Sequence, residues 1–400
     1  MNGSRSRHNS KVEKNKKKTL IAPHIAVLPK SGIRDFFELV NSMDDVISLG
    51  IGEPDFVTPW NIRESAIYSL ESGKTHYTSN LGLLSLRKAI CNYMSSDYDL
   101  DYDPVHECIV TVGVSEALDL VIRAITSPGD EIIYHEPCYV SYGPEIRMAH
   151  GVPVVVKTYE KNDFALDPDD LEKAITPKTK AILLNFPCNP TGATLTYEQT
   201  EKIAKIAVRH NLIVLADHIY TELTYGEMTP SIATFPGMKE RTVFLHGFSK
   251  AFAMTGFRLG YACGPAEIID AMMKIHQYSM LCASITAQEA ALEALRSGKK
   301  DMLAMKADYR DRRNVIVKRL NEIYVFPNIT SSGLSSKDFA TQLLMKKKVA
   351  VVPGTAFGEC GEGFVRCSYA TSMDGIKEAM DKIAEFLKEL KAGKKKKSRK

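Results

Sequence analysis

Between His246 and Gly264 the chain reads HGFSKAFAMTGFRLGYACG. One lysine, Lys250, and one arginine, Arg258, stand there in otherwise small or apolar company, directly after an apolar β-branched run. Apolar surroundings disfavour an ammonium ion, so the pKa of such a lysine falls and its free amine becomes a nucleophile toward a carbonyl carbon. Lys250 therefore suits a Schiff base. The planar guanidinium of Arg258 matches a phosphate with paired hydrogen bonds, and Ser249 adds a hydroxyl donor. A surface loop with two stray charges would carry polar filler, and this run carries none.

A pyridine ring acting as an electron sink needs an acid beside its nitrogen. Asp217 closes the apolar run Leu212 to Ala216, which places its carboxylate at the carboxyl edge of a parallel sheet, where ligands bind in open α/β folds. The run NFPCNPTG, Asn185 to Gly192, follows another strand to the same edge. Asn189 there, and Tyr220 after Asp217, can donate hydrogen bonds to a phenolic oxygen on the ring; alone, Asn-Pro-Thr-Gly is only a turn. In Thr111 to Leu120, TVGVSEALDL, a strand, a glycine turn and a helix start follow one another. Free N–H groups of Val114, Ser115 and Glu116, with the positive end of the helix dipole, make an anion site that complements Arg258. A phosphorylated pyridine aldehyde, pyridoxal 5'-phosphate (PLP), fits this set. A dinucleotide does not, because Gly50-Ile51-Gly52 leads into Glu53-Pro54 instead of a helix with a third glycine.

The elements that must position these residues are legible from hydrophobic periodicity. Strands are expected at Cys108 to Val112, Glu131 to His135, Val152 to Thr158, Ala181 to Phe186, Leu212 to Asp217, Thr242 to His246 and Arg258 to Cys263, alternating with helices such as Ser115 to Thr126 and Tyr197 to Asn211. That alternation implies an α/β fold: a large cofactor-binding domain with a seven-stranded, mostly parallel sheet, plus a smaller α+β domain. The smaller domain is expected from a long charged helix at about Met302 to Glu322, a helix at Lys337 to Lys347, strands at Val349 to Val352 and Phe364 to Tyr369, and a final helix from Met373 to about Leu390. The boundaries read as a basic tail over 1–20, a segment over 21–55 joining the small domain, the large domain over 56–297, the small domain over 298–390 and a second basic tail over 391–400. One junction breaks the pattern: the helix ending near Ile323 runs into Tyr324-Val325-Phe326-Pro327 without turn residues between them.

With 400 residues, 44% hydrophobic and 25% charged, the chain can bury a sizeable core and has ordinary globular totals. The net charge of +4 comes from its ends, Lys11, Lys14 and Lys16 to Lys18 at one and Lys394 to Lys397, Arg399 and Lys400 at the other. Such runs repel themselves and read as solvated, disordered ends, and no nucleic-acid-binding module accompanies them. The eight cysteines are scattered singly, without the spacing of a metal site or a disulfide framework, which points to a reducing compartment and no metal. No apolar run reaches membrane-spanning length and no secretory leader is recognisable, so a cytoplasmic location is expected.

With these residues assembled, the chain resembles the class I/II aminotransferases of PLP-enzyme fold type I. The resemblance runs from about Pro29 to Leu387 and rests on GEPDFVTP, YTSNLG, VTVGVSEALD, EPCYVSY, NFPCNPTG, ADHIYTELTY, HGFSKAFAMTGFRLGY and VRCSYA, all in order. It implies PLP bound covalently by Lys250, with Asp217 at the pyridine nitrogen and Asn189 and Tyr220 at the ring oxygen. It also implies Tyr139 stacked on the ring and Ser115, Glu116, Ser249 and Arg258 at the phosphate. Tyr77 matches a residue that reaches the phosphate of a neighbouring subunit, so a homodimer is implied. Arg366 matches the arginine that clamps the substrate α-carboxylate, helped by Gly52 and Asn189. The implied reaction is ping-pong transfer of an amino group from an L-amino acid to a 2-oxo acid, 2-oxoglutarate by resemblance.

Two positions depart from the family pattern. His218 stands where an acidic residue is common, and at Ile323-Tyr324 relatives carry a longer loop and a glycine-containing strand start. A small domain shortened there is expected to lose stability or activity. A β-lyase or synthase would share the cofactor residues, and a non-catalytic PLP-binding protein is the alternative from another class. The donor stays open among aromatic, aspartate-like and N-acylated diamino acids, with Ser31-Gly32-Ile33-Arg34 expected near the side-chain pocket.

Overall fold

The computed structural model describes residues 20–29, 40, 42–227, 229–320 and 326–397. The lysines at 11–18, the segment Ser31 to Arg34, the junction Ile323-Tyr324 and the last three residues lie outside the described residues. Eleven strands occur among those described: β1 (Ile47–Ser48), β2 (Cys108–Thr111), β3 (Glu131–Glu136), β4 (Val152–Lys157), β5 (Thr179–Asn185), β6 (Ile213–Asp217), β7 (Thr242–Gly247), β8 (Gly260–Cys263), β9 (Val349–Ala350), β10 (Val352–Pro353) and β11 (Val365–Arg366).

All seven strands expected for the large sheet form, in the order β2-β8-β7-β6-β5-β3-β4, and β8 alone runs antiparallel to its neighbours. The interior strands are continuous apolar runs because helices cover both faces; β7 is buried along its whole length. On one face the helices Gly113–Ile125 and Ala266–Ser279 pack through Leu118, Val121, Ile122, Ile269 and Met272. On the other, Tyr197–Arg209 packs through Ile203, Ala204 and Ala207, and a capping box at Thr196 and Gln199 fixes where that helix starts. A third cluster joins Trp60–Glu71, Leu84–Tyr98 and Ile285–Ser297 to the antiparallel end of the sheet.

A separate apolar core holds the smaller unit. Leu49, Ile316, Phe339, Leu343, Leu344, Val349, Val351, Ile376 and Phe386 pack together there. Its sheet is more broken than the expected strands at Val349 to Val352 and Phe364 to Tyr369. The first divides at Val351, so that β9 pairs in parallel with β1 while β10 pairs antiparallel with β11. Beyond Arg366 the ladder ends, because Ser368 donates its N–H to Leu49 O instead of to a strand partner. The final helix, Met373–Lys397, passes the expected end near Leu390 and runs into the lysines counted above as a disordered tail. Lysine is a good helix former, and Lys347 pairs with Glu385 and Glu389 on the same helix.

The register brings one edge together. Asn185 lies opposite Asp217 and Asp217 opposite Leu245, so the carboxyl ends of β5, β6 and β7 sit side by side. At the antiparallel end, Gly260 is opposite both Thr111 and Gly247. A Cβ on Gly260 would lie 2.5 Å from Val114 N and 2.6 Å from Gly113 C, which are backbone atoms with nowhere to move. Gly260→Ala is therefore expected to cost about 1–3 kcal/mol of stability, read as a lowered apparent Tm, with Gly226→Ala as the control because nothing lies within 4 Å of its Cβ position. Equal melting of the two variants would contradict this packing.

Candidate functional site

The loops leaving β5, β6 and β7 carry Asn189, Tyr220 and Lys250 into one cavity of about 380 Å³. Its wall also includes Gly52, Pro54, Tyr225, Tyr309, Arg313, Arg366 and Tyr369. The cavity is thus closed on one side by the sheet edge and on the other by β11 and the turn that follows it.

Lys250 follows β7 and is largely buried. Its Nζ donates to Gly52 O at 2.7 Å and lies 5.9 Å from the centre of the Tyr220 ring. Burial first, then the positive charges of Arg366 and Arg258, lower its pKa to about 8, with Glu53 opposing. This is the depressed amine that the apolar composition of the loop implies. Asp217 ends β6 and is buried. Burial pushes its carboxyl up; against that, Oδ2 accepts from Tyr142 Oη at 2.8 Å and Oδ1 from Ile219 N at 3.1 Å, both favouring the carboxylate. Asn185 Nδ2 donates to Asp217 O at 3.1 Å, and Asn185 Oδ1 accepts from Asn189 N at 3.1 Å, so one side chain ties the two loops together. Tyr220 is pushed up by burial despite the charge of Arg366, and keeps its hydroxyl proton. Tyr139 stands edge-on to Tyr142, with ring centres 5.6 Å apart.

Arg366, in β11, donates from Nη1 to Asn189 Oδ1 at 3.0 Å and from Nη2 to Gly50 O, and its guanidinium lies 4.9 Å from the Phe357 ring. Its Nε is buried and has no partner. A buried guanidinium with a spare donor and no carboxylate partner is built to receive an anion.

A second cluster of donors lies at the other end of the edge. Gly113 has φ +75, and a Cβ there would meet Arg258 Nη2 at 2.6 Å. The guanidinium therefore sits against the start of the helix Gly113–Ile125. Arg258 itself takes the left-handed conformation (φ +52) and donates from Nη1 to Thr255 O at 3.1 Å, which leaves other donors of the fork unused. Ser249 is buried nearby in sequence, while Ser115 is exposed on the first turn of the helix. Of the three N–H groups expected here, that of Val114 packs against Gly260. The Glu116 carboxylate is spent elsewhere: Oε2 accepts from Val112 N at 2.6 Å and Oε1 lies 2.8 Å from His276 Nδ1, so only its backbone can serve an anion. Tyr77 is 82% exposed and takes no part in the cavity of its own chain.

A phosphorylated pyridine fits these residues: a depressed amine, a buried acid that accepts two hydrogen bonds, and an exposed arginine at a helix start lie along one sheet edge. Three contributors had no signal of their own in the sequence. Tyr142 is one tyrosine among many until the fold aims it at Asp217. Glu222 accepts from His246 Nε2 at 2.8 Å and from Tyr93 at 2.6 Å. Burial pushes that carboxyl up, but the electrostatic interaction with His246 and the hydrogen bonds from His246, Tyr93 and Tyr98 outweigh it and hold it well below the usual carboxylate range. His246 Nδ1 accepts from Gly247 N at 2.7 Å, which puts the ring proton on Nε2 facing Glu222. His218, the residue standing where the family carries an acid, stacks on Phe244 with centres 4.2 Å apart. Burial lowers its pKa to about 3, so it is a neutral ring held by Thr221 and Ser231.

The folded-state pKa of Lys250 lies below the ordinary 10.5. The unfolded chain therefore holds more protons between the two values, and the cost of burial is full below pH 8 and fades toward pH 10.5. Lys250→Met in the cofactor-free protein is expected to raise the apparent Tm at neutral pH, with the advantage shrinking in alkaline buffer. An advantage that does not change with pH would contradict the depressed amine.

Residues 44–383 match the family described as Aminotransferase class I and II. The aspartate aminotransferase of Pyrococcus abyssi (strain GE5 / Orsay) is 45% identical, covering 90% of this chain and 96% of its own. The aromatic-amino-acid aminotransferase 2 of Thermococcus litoralis is 42% identical over 93% of this chain and 99% of its own. The solved structure of the Thermus thermophilus aspartate aminotransferase with maleate superposes with a TM-score of 0.86 at 35% identity, covering 92% of this chain and all of that one.

Proposed function

From a chain that belongs to the class I and II aminotransferases, and is thus a PLP-dependent transferase that moves an amino group between an amino acid and a 2-oxo acid, we propose how its own residues divide the work. The observation that carries the proposal is the amine of Lys250, with a pKa lowered to about 8, on the loop that leaves β7, the strand beside the one that ends in the buried acid Asp217.

When bound, PLP supplies an aldehyde for amines and a protonated ring that draws electrons from the substrate α-carbon. Lys250 holds the cofactor covalently through Nζ. The same nitrogen, when free, would take the substrate α-proton and give it back, as general base and then acid. Asp217 would pair with the protonated ring nitrogen, and the hydrogen bonds from Tyr142 and Ile219 favour its carboxylate form. Tyr220 and Asn189 donate to the ring oxygen, and Tyr139 covers one ring face. Arg258, Ser249 and the N–H groups at Ser115 and Glu116 hold the phosphate. Arg366 clamps the α-carboxylate beside Gly52 and Asn189; its spare Nε and its fork geometry suit two parallel hydrogen bonds.

Tyr77 is exposed and does not line its own cavity, and Trp60, Tyr68, Tyr278 and Met280 are likewise exposed. A homodimer covers such surface and lets Tyr77 reach the phosphate in the second subunit. The acceptor is 2-oxoglutarate, and the protein works in the cytoplasm; among the described residues no helix is long and apolar enough to cross a membrane.

Incubation of the PLP-loaded protein with an amino acid, without a 2-oxo acid, is expected to give one equivalent of pyridoxamine phosphate and one of 2-oxo acid. Sustained release of ammonia instead would assign an elimination reaction to this site.

A further inference from the structure

Three of the eight cysteines meet at the antiparallel end of the large sheet. Cys108 in β2 lies directly opposite Cys263 in β8. Gly264 N donates to Glu107 O at 3.1 Å, so Glu107 and Gly264 are a hydrogen-bonded pair and Cys108 and Cys263, one step along, are not. In such a pair the Cα atoms lie about 4.5 Å apart, inside the range that a disulfide spans. Strand alternation sends both side chains to the face covered by the helix Leu84–Tyr98. Cys108 and Cys263 share a core cluster there with Cys91 of that helix, whereas Ile109 and Ala262 face the other core. Each of the three thiols interacts with the other two.

A cation accompanies them. Arg87 stands one helical turn before Cys91, is 6% exposed, and donates from Nε to Gly82 O and from Nη1 to Pro104 O and Val105 O. Burial lowers its pKa, and the groups that favour its charge are Cys108, Cys91 and Asp103. A guanidinium beside thiols favours a thiolate. Hydrogen bonds from Cys108 and then Cys263 lower the pKa of Cys91, against burial and Asp103. Burial first, then the bonds to the other two, push Cys263 up. At Cys108 the bond with Cys263 lowers the pKa, but the bond to Cys91 and burial raise it more. Cys91 is also the accessible member, 7% exposed against 0% for the other two. Among the described residues no group of His, Cys, Asp or Glu side chains could hold a metal ion, so the chemistry open to the trio is between sulfurs.

We propose that Cys91, Cys108 and Cys263 form a peroxide-sensitive thiol site that closes to a single disulfide. A hydroperoxide meets Cys91 first. The Cys91 sulfur attacks the O–O bond, keeps one oxygen as a sulfenic acid, and the other oxygen leaves as water or an alcohol. The thiol of Cys108 or Cys263 then attacks the Cys91 sulfur; the S–O bond breaks, and the hydroxyl leaves with the thiol proton as water. Two thiols have given two electrons and two protons to the peroxide, and the third stays reduced. A dithiol reductant reverses the change by exchange. None of the three lines the cavity that holds Lys250, so the site is separate from the transamination chemistry. It sits instead in the strand pair whose other end, Thr111 opposite Gly260, abuts the Gly113 turn.

The test treats the PLP-loaded protein with a small molar excess of hydrogen peroxide and stops the reaction with catalase. The protein is then unfolded in iodoacetamide without reductant, digested and mapped by mass spectrometry. The expected product is a peptide pair joining two of the three cysteines, lighter by two hydrogens and returned to free thiols by dithiothreitol. Cys91 is expected to lose its reactivity toward iodoacetamide about tenfold or more faster than the less buried Cys282 and Cys360, because the thiolate is the reacting species. Cys91→Ala should slow the loss of the Cys108 and Cys263 thiols by a similar factor. Cys108→Ala and Cys263→Ala should each still link Cys91 to the remaining partner, so the assignment does not hang on one variant folding. Oxidation first at Cys282 or Cys360, a disulfide to a cysteine outside the trio, Cys91 driven to sulfinic acid with both partners free, or three thiols left unchanged would each overturn it.

Discussion

A cationic amine is being kept where water does not adequately solvate it. Lys250 is held at the end of β7 by one hydrogen bond to Gly52 O, among the positive charges of Arg366 and Arg258. Burial and the two guanidinium charges make the ammonium form less favourable and the neutral amine more available. The rest of the molecule is arranged around this constraint. The sheet register sets Asp217 on the neighbouring strand, and Gly260 lets the Arg258 loop and the start of the helix Gly113–Ile125 come within contact distance. The segment carrying Gly50 and Gly52 joins Lys250 to Arg366, so the small unit and the large sheet meet at the reacting amine.

Electrostatic balance at this edge is achieved by pairing acids with neutral or cationic donors of fixed geometry. Burial raises the pKa of the Asp217 carboxyl, and the hydrogen bonds from Tyr142 and Ile219 oppose that rise. Glu222 keeps its charge through His246, Tyr93 and Tyr98, and His246 in turn favours the Asp217 carboxylate. The two acids are therefore linked through one imidazole. His218, between them in sequence, contributes packing on Phe244 and no charge.

Much of this was legible in the residues before any coordinates. Apolar runs ending in a single polar residue located β5, β6 and β7 and the loops that leave them, because buried parallel strands cannot carry polar side chains except at their ends. The lysine in an apolar glycine-bracketed loop announced its own perturbed chemistry. What stayed hidden depends on long-range geometry. Tyr142 and Glu222 are common residue types on ordinary-looking helices or turns, and only the fold brings them to Asp217 and His246. The small-unit strands were misjudged in extent for a related reason: β9 and β10 are one apolar run, but their pairing partners lie on opposite sides of Val351. The helix start pointed to the backbone N–H of Glu116, while the partner of its carboxylate, His276, lies far along the chain and had no signal in the sequence.

The central claim is that Nζ of Lys250 is the group that bonds to the cofactor aldehyde. Borohydride reduction of the PLP-loaded protein, followed by proteolysis and mass analysis, tests it directly. The pyridoxyl label is expected on the peptide containing Lys250 and on no other lysine in stoichiometric amount. A label on another lysine, or a reduced protein carrying none, would contradict the account.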